Sequence, residues 1–420
     1  MLNKLTPQSS FAKNVLTLMT GTTVAQAIPI VITPILTRMY TPEDFGVLAL
    51  FVAITTILGS VANGRYELAI MLPESDDEAI NVAAMGVLIA TVLSICLLLP
   101  AIFLNQYLVT LLDNQFIGFW LYFVPFVVFL LGLYNVLNYL NNRKKCYKDI
   151  AKATVYKSVV QAAVQLGVGA IKATVGGLIS GHIASNLVAN TRLAFNVKRQ
   201  YSLANIKWVE MKRVAYRYID FPKYSMWATL SNTLSYQLLN VLITTFYSIT
   251  TLGFYSLAQR ILGMPATLIG SSIGQVYFQQ ATIEKNKTGK ATKIFNATTK
   301  KLVVLSCVFF IPLYFVLPSL FEIMFGDKWR IAGEYAQIIV PVFIVRFVGA
   351  ALSNTNNIFE KQGLALAWQI ALLILSIGVL ILSSVFHLSF EDFLRVYTVV
   401  TSIHYILLYF LLKFVADAKL

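Results

Sequence analysis

Apolar residues fill this chain in runs of about twenty or more positions, the length that carries a helix across a bilayer core at 1.5 Å per residue, and short base-rich segments separate the runs. The pattern predicts spans over 14–37, 45–71, 79–104, 116–140, 153–171 and 174–197, then over 224–247, 252–281, 299–321, 332–358, 362–386 and 393–415. Transmembrane β-strands would instead alternate apolar and polar residues over about ten positions, and that dyad is missing. The expected fold is an all-α integral membrane protein with about 12 transmembrane helices.

Composition agrees: 57% hydrophobic and 12% charged residues are far from the balance of a soluble domain. The basic residues set the orientation, because Lys and Arg accumulate in short cytoplasmic loops. With the N-terminus inside, the inner side takes the run Arg143, Lys144, Lys145, Lys148 and Lys152, the cluster from Lys198 to Lys223, and Lys285 to Lys301. The outer side takes only Arg38, Lys172, Lys328, Arg330 and Arg395. Both termini are therefore expected in the cytoplasm. The same dispersal explains the net charge of +14 without nucleic acid. Cys96 and Cys307 fall inside spans and Cys146 in a cytoplasmic loop, so neither a disulfide framework nor a metal site is expected, and no cofactor is implied.

A weak internal repeat organises the spans. Leu36-Thr37-Arg38-Met39-Tyr40-Thr41, continuing through Phe45-Gly46 to Leu50, aligns with Ile243-Thr244-Thr245-Phe246-Tyr247-Ser248, continuing through Leu252-Gly253 to Leu257. Both segments join the first two helices of a six-helix half. Six crossings return the chain to its starting side, so two six-helix bundles would be related by a parallel pseudo-two-fold axis along the membrane normal. The expected division is an N-terminal lobe over 1–197, a cytoplasmic amphipathic linker over 198–223 and a C-terminal lobe over 224–420. Pro29, Pro34, Pro125, Pro265, Pro312 and Pro341 fall inside predicted helices and favour kinks there. Gly176-Gly177 suits close helix contact.

Charges inside the spans carry the functional signal, because ionisable groups in lipid need a partner or a hydrated cavity. The bases are Arg65, Lys157, Arg192, Arg260 and Arg346, and Glu67 is the one acidic residue well inside a span. Lys157 and Arg192 can snorkel to head groups, whereas Arg260 and Arg346 lie around mid-span. Arg65 and Glu67, two apart on one helix, would point to different faces, which argues against mutual neutralisation. Guanidinium groups suit phosphate through bidentate hydrogen bonds, so an anionic substrate is expected. Asn240 and Asn354 add amide groups able to contact a glycan or a neighbouring helix. His182 and His404 read as packing residues.

The segment Leu36-Thr37-Arg38-Met39-Tyr40-Thr41-Pro42-Glu43-Asp44-Phe45-Gly46, with Arg65-Tyr66-Glu67-Leu68-Ala69-Ile70 leading into Leu72-Pro73, resembles the polysaccharide and O-antigen flippases of the multidrug/oligosaccharidyl-lipid/polysaccharide exporter superfamily. The resemblance implies two bundles around a cationic cavity, and transfer of an undecaprenyl-pyrophosphate-linked oligosaccharide from the cytoplasmic to the periplasmic leaflet. It further implies antiport with a proton or sodium ion, and a polysaccharide polymerase as a possible partner. Glu67 matches the family's acidic position and is the candidate for ion coupling or gating together with Arg65. Arg65, Arg260, Arg346, Lys157 and Arg192, with Asn240 and Asn354, are the candidates for substrate. No catalytic residue is expected.

The rival within the superfamily is a multidrug or organic-ion antiporter, which would need intramembrane carboxylates for a cationic cargo. A membrane glycan polymerase or ligase would need a large extracytoplasmic loop, and the predicted loops there are short. Because the second helix runs inward, Arg65 and Glu67 fall within about two turns of its cytoplasmic end. They read as a gate or coupling element, and Arg260 and Arg346 as the central cavity.

Overall fold

A computed structural model describes residues 10–418; the side chains of 10–16, 18–19, 265–269 and 271–272, Pro265 among them, lie outside the described residues. The helices are α1 (Ser10–Met39), α2 (Pro42–Gly59), α3 (Tyr66–Ala69), α4 (Asp76–Phe103), α5 (Asn105–Leu111), α6 (Gly118–Leu121), α7 (Val124–Arg143), α8 (Tyr147–Ile171) and α9 (Val175–Gln200). They continue with α10 (Trp208–Arg217), α11 (Met226–Phe246), α12 (Ile249–Thr288), α13 (Thr292–Phe325), α14 (Arg330–Leu352), α15 (Asn354–Ile358), α16 (Gln362–Val385) and α17 (Phe390–Ala416). No strand occurs among the described residues. The all-α membrane fold follows from the sequence as expected.

Among the described residues eight segments are long and apolar enough to cross a membrane: α1, α2, α4, α7, α13, α14 with α15, α16 and α17. The other predicted spans correspond to α8, α9, α11 and α12, which have the length at 25, 26, 21 and 40 residues but are more polar. Their polarity has a packing reason, clearest in α9, which buries Gly177, Gly181, Ser185, Asn186, Asn190 and Asn196. Small and amide side chains let helix backbones approach closely and hydrogen-bond across the contact.

Three expected spans change shape. The run 45–71 is not one helix: α2 stops at Gly59, and a turn precedes the four-residue α3. The run 332–358 breaks at Ser353 into α14 and α15. The run 116–140 becomes α6 and α7, and Pro125 falls in the first turn of α7, where its missing N–H is harmless, so it makes no kink. Pro29, Pro34, Pro312 and Pro341 do lie inside helices.

The chain divides into two compact units, Met1–Thr233 and Leu234–Leu420. In the first, α8 packs along α1 and α9, and α4 along α7. Tyr40, at the heart of the repeated segment, ties these layers together by donating its hydroxyl to the Gln165 carbonyl at 2.6 Å. A Cβ on Gly177 would stand 2.1 Å from that hydroxyl. Gly177→Ala should therefore cost about 1–3 kcal/mol through overpacking, read as a lower melting temperature of the purified protein in detergent. A melting temperature equal to the parent's would contradict this packing.

The amphipathic segment expected after 198 forms α10, which lies on α4, burying Met211 and Val214 while Trp208 and Val209 stay exposed. In the second unit α14 is the hub, contacting α12, α13 and α17. The two aligned segments each open a helix with a hydroxyl cap. Thr41 caps α2 by accepting from the Asp44 amide at 3.2 Å, and Ser248 caps α12 by accepting from the Thr251 amide at 3.0 Å.

Candidate functional site

In the first unit the candidate site is the turn Asn63-Gly64-Arg65 and the short α3 behind it. Gly64 (φ 57°) and Arg65 (φ 65°) both take the left-handed conformation, which ends the helical path. Glycine adopts it freely, whereas an arginine there costs about 1–3 kcal/mol. Asn63 anchors the turn by donating from Nδ2 to the Gly86 carbonyl at 3.1 Å. Tyr66 anchors the other end, its hydroxyl donating to Ala215 of α10 at 2.8 Å.

This geometry overturns the expectation that Arg65 and Glu67 face apart. Arg65 Nη1 meets Glu67 Oε1 at 3.0 Å. The helical two-residue rule fails because Arg65 is not helical. Glu67 is 2% exposed, so a carboxylate stands almost out of water with one cationic partner. Its Oε2, Asn63 Oδ1 and Arg65 Nε find no hydrogen-bond partner among the described residues. Unmet buried polar atoms of this kind are costly unless something else satisfies them.

The floor of this site is held by a residue that the sequence presented only as part of a cytoplasmic basic run. Arg143, at the end of α7, pairs with Asp76 at 3.3 Å and donates to the carbonyls of Ile70, Glu74 and Ser75 at 3.2 to 3.4 Å. Lys144 also pairs with Asp76. Arg217 of α10 reaches Glu78 at 2.6 Å. Tyr201, whose hydroxyl donates to Leu140 O at 3.2 Å, remains a donor at any ordinary pH because burial pushes its phenol up to about 12. A base immediately after an apolar helix, facing the acidic loop Glu74 to Glu78, was the available signal.

The other cations of this unit have their own neighbours. Lys157 lies over the Tyr134 ring at 5.0 Å and is within electrostatic reach of His182. Arg192 Nη2 pairs with Asp149 at 2.5 Å, so it does not reach for head groups as a lone cation; Asp149, at the start of α8, was not singled out from the sequence. Because both partners are about one-third exposed, Arg192→Gln should cost only about 0.2–1 kcal/mol. A drop in melting temperature as large as that of Gly177→Ala would contradict this.

In the second unit a cavity of about 390 Å³ is lined by Gln259, Gly263, Gly270, Gly274, Phe343, Arg346, Phe347, Ala350, Ala351 and Asn354. It has room for about a dozen waters at roughly 30 Å³ each, within the range of small-ligand sites. Arg346 projects from the hub helix, with Tyr236 at 5.0 Å and Phe343 at 5.9 Å from its guanidinium carbon. Tyr255, Tyr397 and Tyr405 are also within electrostatic reach, and no carboxylate among the described residues pairs with it. Aromatic faces and phenols hold a guanidinium in place without cancelling its charge. Asn354 lines the same cavity and donates to the Gly274 carbonyl at 3.2 Å. Arg260 is half-buried next to Gln259 in sequence but is absent from the lining, and Asn240 donates to Gln237 Oε1 at 3.2 Å. His404 stacks on Trp368 at 4.0 Å, as a packing residue would.

No group of three or more metal-ligating side chains occurs among the described residues. Residues 35–333 match a protein family described as polysaccharide biosynthesis protein. The teichuronic acid biosynthesis protein TuaB of Bacillus subtilis (strain 168) is 25% identical over 207 residues, a match covering 48% of this chain and 42% of that protein. Two solved structures share the fold. The lipid II flippase MurJ in an inward closed conformation superposes with a TM-score of 0.75 at 10% identity, over 95% of this chain and 87% of that one. An inward-facing multidrug resistance transporter of the MATE family and MOP superfamily gives 0.58 at 14% identity, over 94% and 93%.

Proposed function

The chain belongs to the polysaccharide biosynthesis protein family, and from that premise we propose that it is a flippase carrying a lipid-linked oligosaccharide across the bacterial inner membrane. The cargo is an undecaprenyl-pyrophosphate-linked repeat unit of O-antigen or another surface polysaccharide, taken from the cytoplasmic to the periplasmic leaflet by alternating access. One observation carries this reading: Arg346 sits at a cavity wall, ringed by aromatic groups, with no carboxylate among the described residues to compensate its charge. A bare guanidinium in low dielectric favours phosphate oxygens through charge-assisted hydrogen bonds. It repels organic cations, which counts against the multidrug reading.

Glu67 is the coupling group in this proposal. A buried carboxylate with one free oxygen can take a proton or hold a sodium ion, and Arg65 competes for the same charge. Asn354 and Gln259 supply amides for the sugar nearest the phosphate.

Deletion of the gene tests the proposal. Surface polysaccharide should disappear and the undecaprenyl-linked glycan should accumulate on the cytoplasmic face, with both restored by the parent chain and not by Arg346→Ala. Normal exposure of the linked glycan to the periplasm in the deletion strain would refute it.

A further inference from the structure

A second concavity in the C-terminal unit shares no lining residue with the Arg346 cavity. It is a groove of about 580 Å³ lined by Ile273 of α12 and by Lys300, Lys301, Val304, Leu305 and Val308 of α13. Lys300, Val304 and Val308 recur every fourth residue and Lys301 and Leu305 stand beside them, so one helical stripe about 12 Å long forms the groove. The stripe is basic at one end and wholly apolar beyond it, with Val304 and Val308 55% and 67% exposed.

The two lysines are uncompensated among the described residues. The ion pairs of this unit involve Arg330 and Arg395, and neither lysine joins one among the described residues. The first acidic residue of α13 is Glu322, near its far end. Lys285, Lys287, Lys290 and Lys293 precede the pair, so the groove's basic end faces the side that the positive-inside rule assigns to the cytoplasm. That leaflet is rich in anionic head groups, and basic pockets between membrane helices on that side suit them.

We infer that this groove is a site for an anionic phospholipid of the cytoplasmic leaflet. Its phosphate rests on Lys300 and Lys301, and one acyl chain lies along Val304, Leu305 and Val308 against Ile273. Charge complementarity selects this occupant over a zwitterionic lipid, whose own cationic group would stand close to the two ammonium groups and offset the attraction of its phosphate. Ile273 stands on α12 beside Gly270 and Gly274, which line the Arg346 cavity, so the groove and that cavity draw on the same stretch of α12.

The test uses the full chain, with Cys96, Cys146 and Cys307 replaced by serine and Val308→Cys carrying a bimane label, in phosphatidylcholine nanodiscs. Brominated phosphatidylglycerol should quench the label at a mole fraction roughly thirtyfold lower than brominated phosphatidylcholine, as two surface lysines predict. Lys300→Gln/Lys301→Gln should bring the two quenchers together, and a label at Ile403→Cys, an exposed position on α17, should show no preference in either background. Equal quenching at 308 in the parent, or a preference that survives the double substitution, would overturn the proposal. So would displacement of brominated phosphatidylglycerol by an equal amount of undecaprenyl phosphate, which would make the carrier lipid the occupant. A label shielded from both quenchers would place a second copy of the chain there and overturn it as well.

Discussion

Arg346→Ala weakens binding of a pyrophosphate-headed polyprenyl lipid by roughly 10- to 100-fold, the loss expected when charge-assisted hydrogen bonds worth about 1.5–3 kcal/mol disappear. Stability should change far less, because Arg346 has no carboxylate partner among the described residues to be left stranded. What is lost is stacking on Tyr236 and Phe343, worth about 0.5–2 kcal/mol. Arg346→Lys should restore only part of the affinity, since an ammonium keeps the charge but not the planar, bidentate fork. Titration of the purified variants with undecaprenyl pyrophosphate, beside their melting curves, checks both halves. Unchanged affinity in Arg346→Ala would remove this residue from the substrate site.

The second large effect separates charge from coupling at the turn of the first unit. Arg65→Leu leaves the Glu67 carboxylate almost dry and unpaired, which should destabilise the protein by about 3–5 kcal/mol. Glu67→Gln should cost less, because Arg65, with 22% of its side chain exposed, can turn to water. Combining the two should recover most of the stability lost in Arg65→Leu, since no buried charge remains. Transport should tell the variants apart differently. Glu67→Gln, alone or combined, should make glycan-lipid transfer insensitive to an imposed proton or sodium gradient. If Glu67→Gln kept full gradient dependence, Glu67 would be a structural partner of Arg65 and nothing more.

Much of the fold was legible because hydropathy and helix capping are local properties. The apolar runs located the helices, and the aligned Thr41 and Ser248 each cap the helix that follows. The turn at Asn63-Gly64-Arg65 was harder to read, because periodicity assumes a continuous helix. Asn63-Gly64 was a turn signal outweighed by the apolar residues on either side. Partners were the least legible feature. Arg192 and Asp149 are far apart in sequence, as are Arg143 and Asp76, and no periodic pattern brings them together. Arg346 was found because an arginine in mid-span is expensive wherever it lies, whereas Tyr236 and Gln259 around it looked like ordinary helix residues.

The claim that this chain moves a pyrophosphate-linked glycolipid between leaflets is tested most directly in proteoliposomes holding only the purified protein and a fluorescent undecaprenyl-pyrophosphate glycan. A membrane-impermeant reductant bleaches fluorophores in the outer leaflet. The account predicts that bleaching continues past the outer-leaflet share with the parent protein and stops there with Arg346→Ala. Bleaching that stops at the outer-leaflet share with the parent protein too, as in protein-free liposomes, would contradict it.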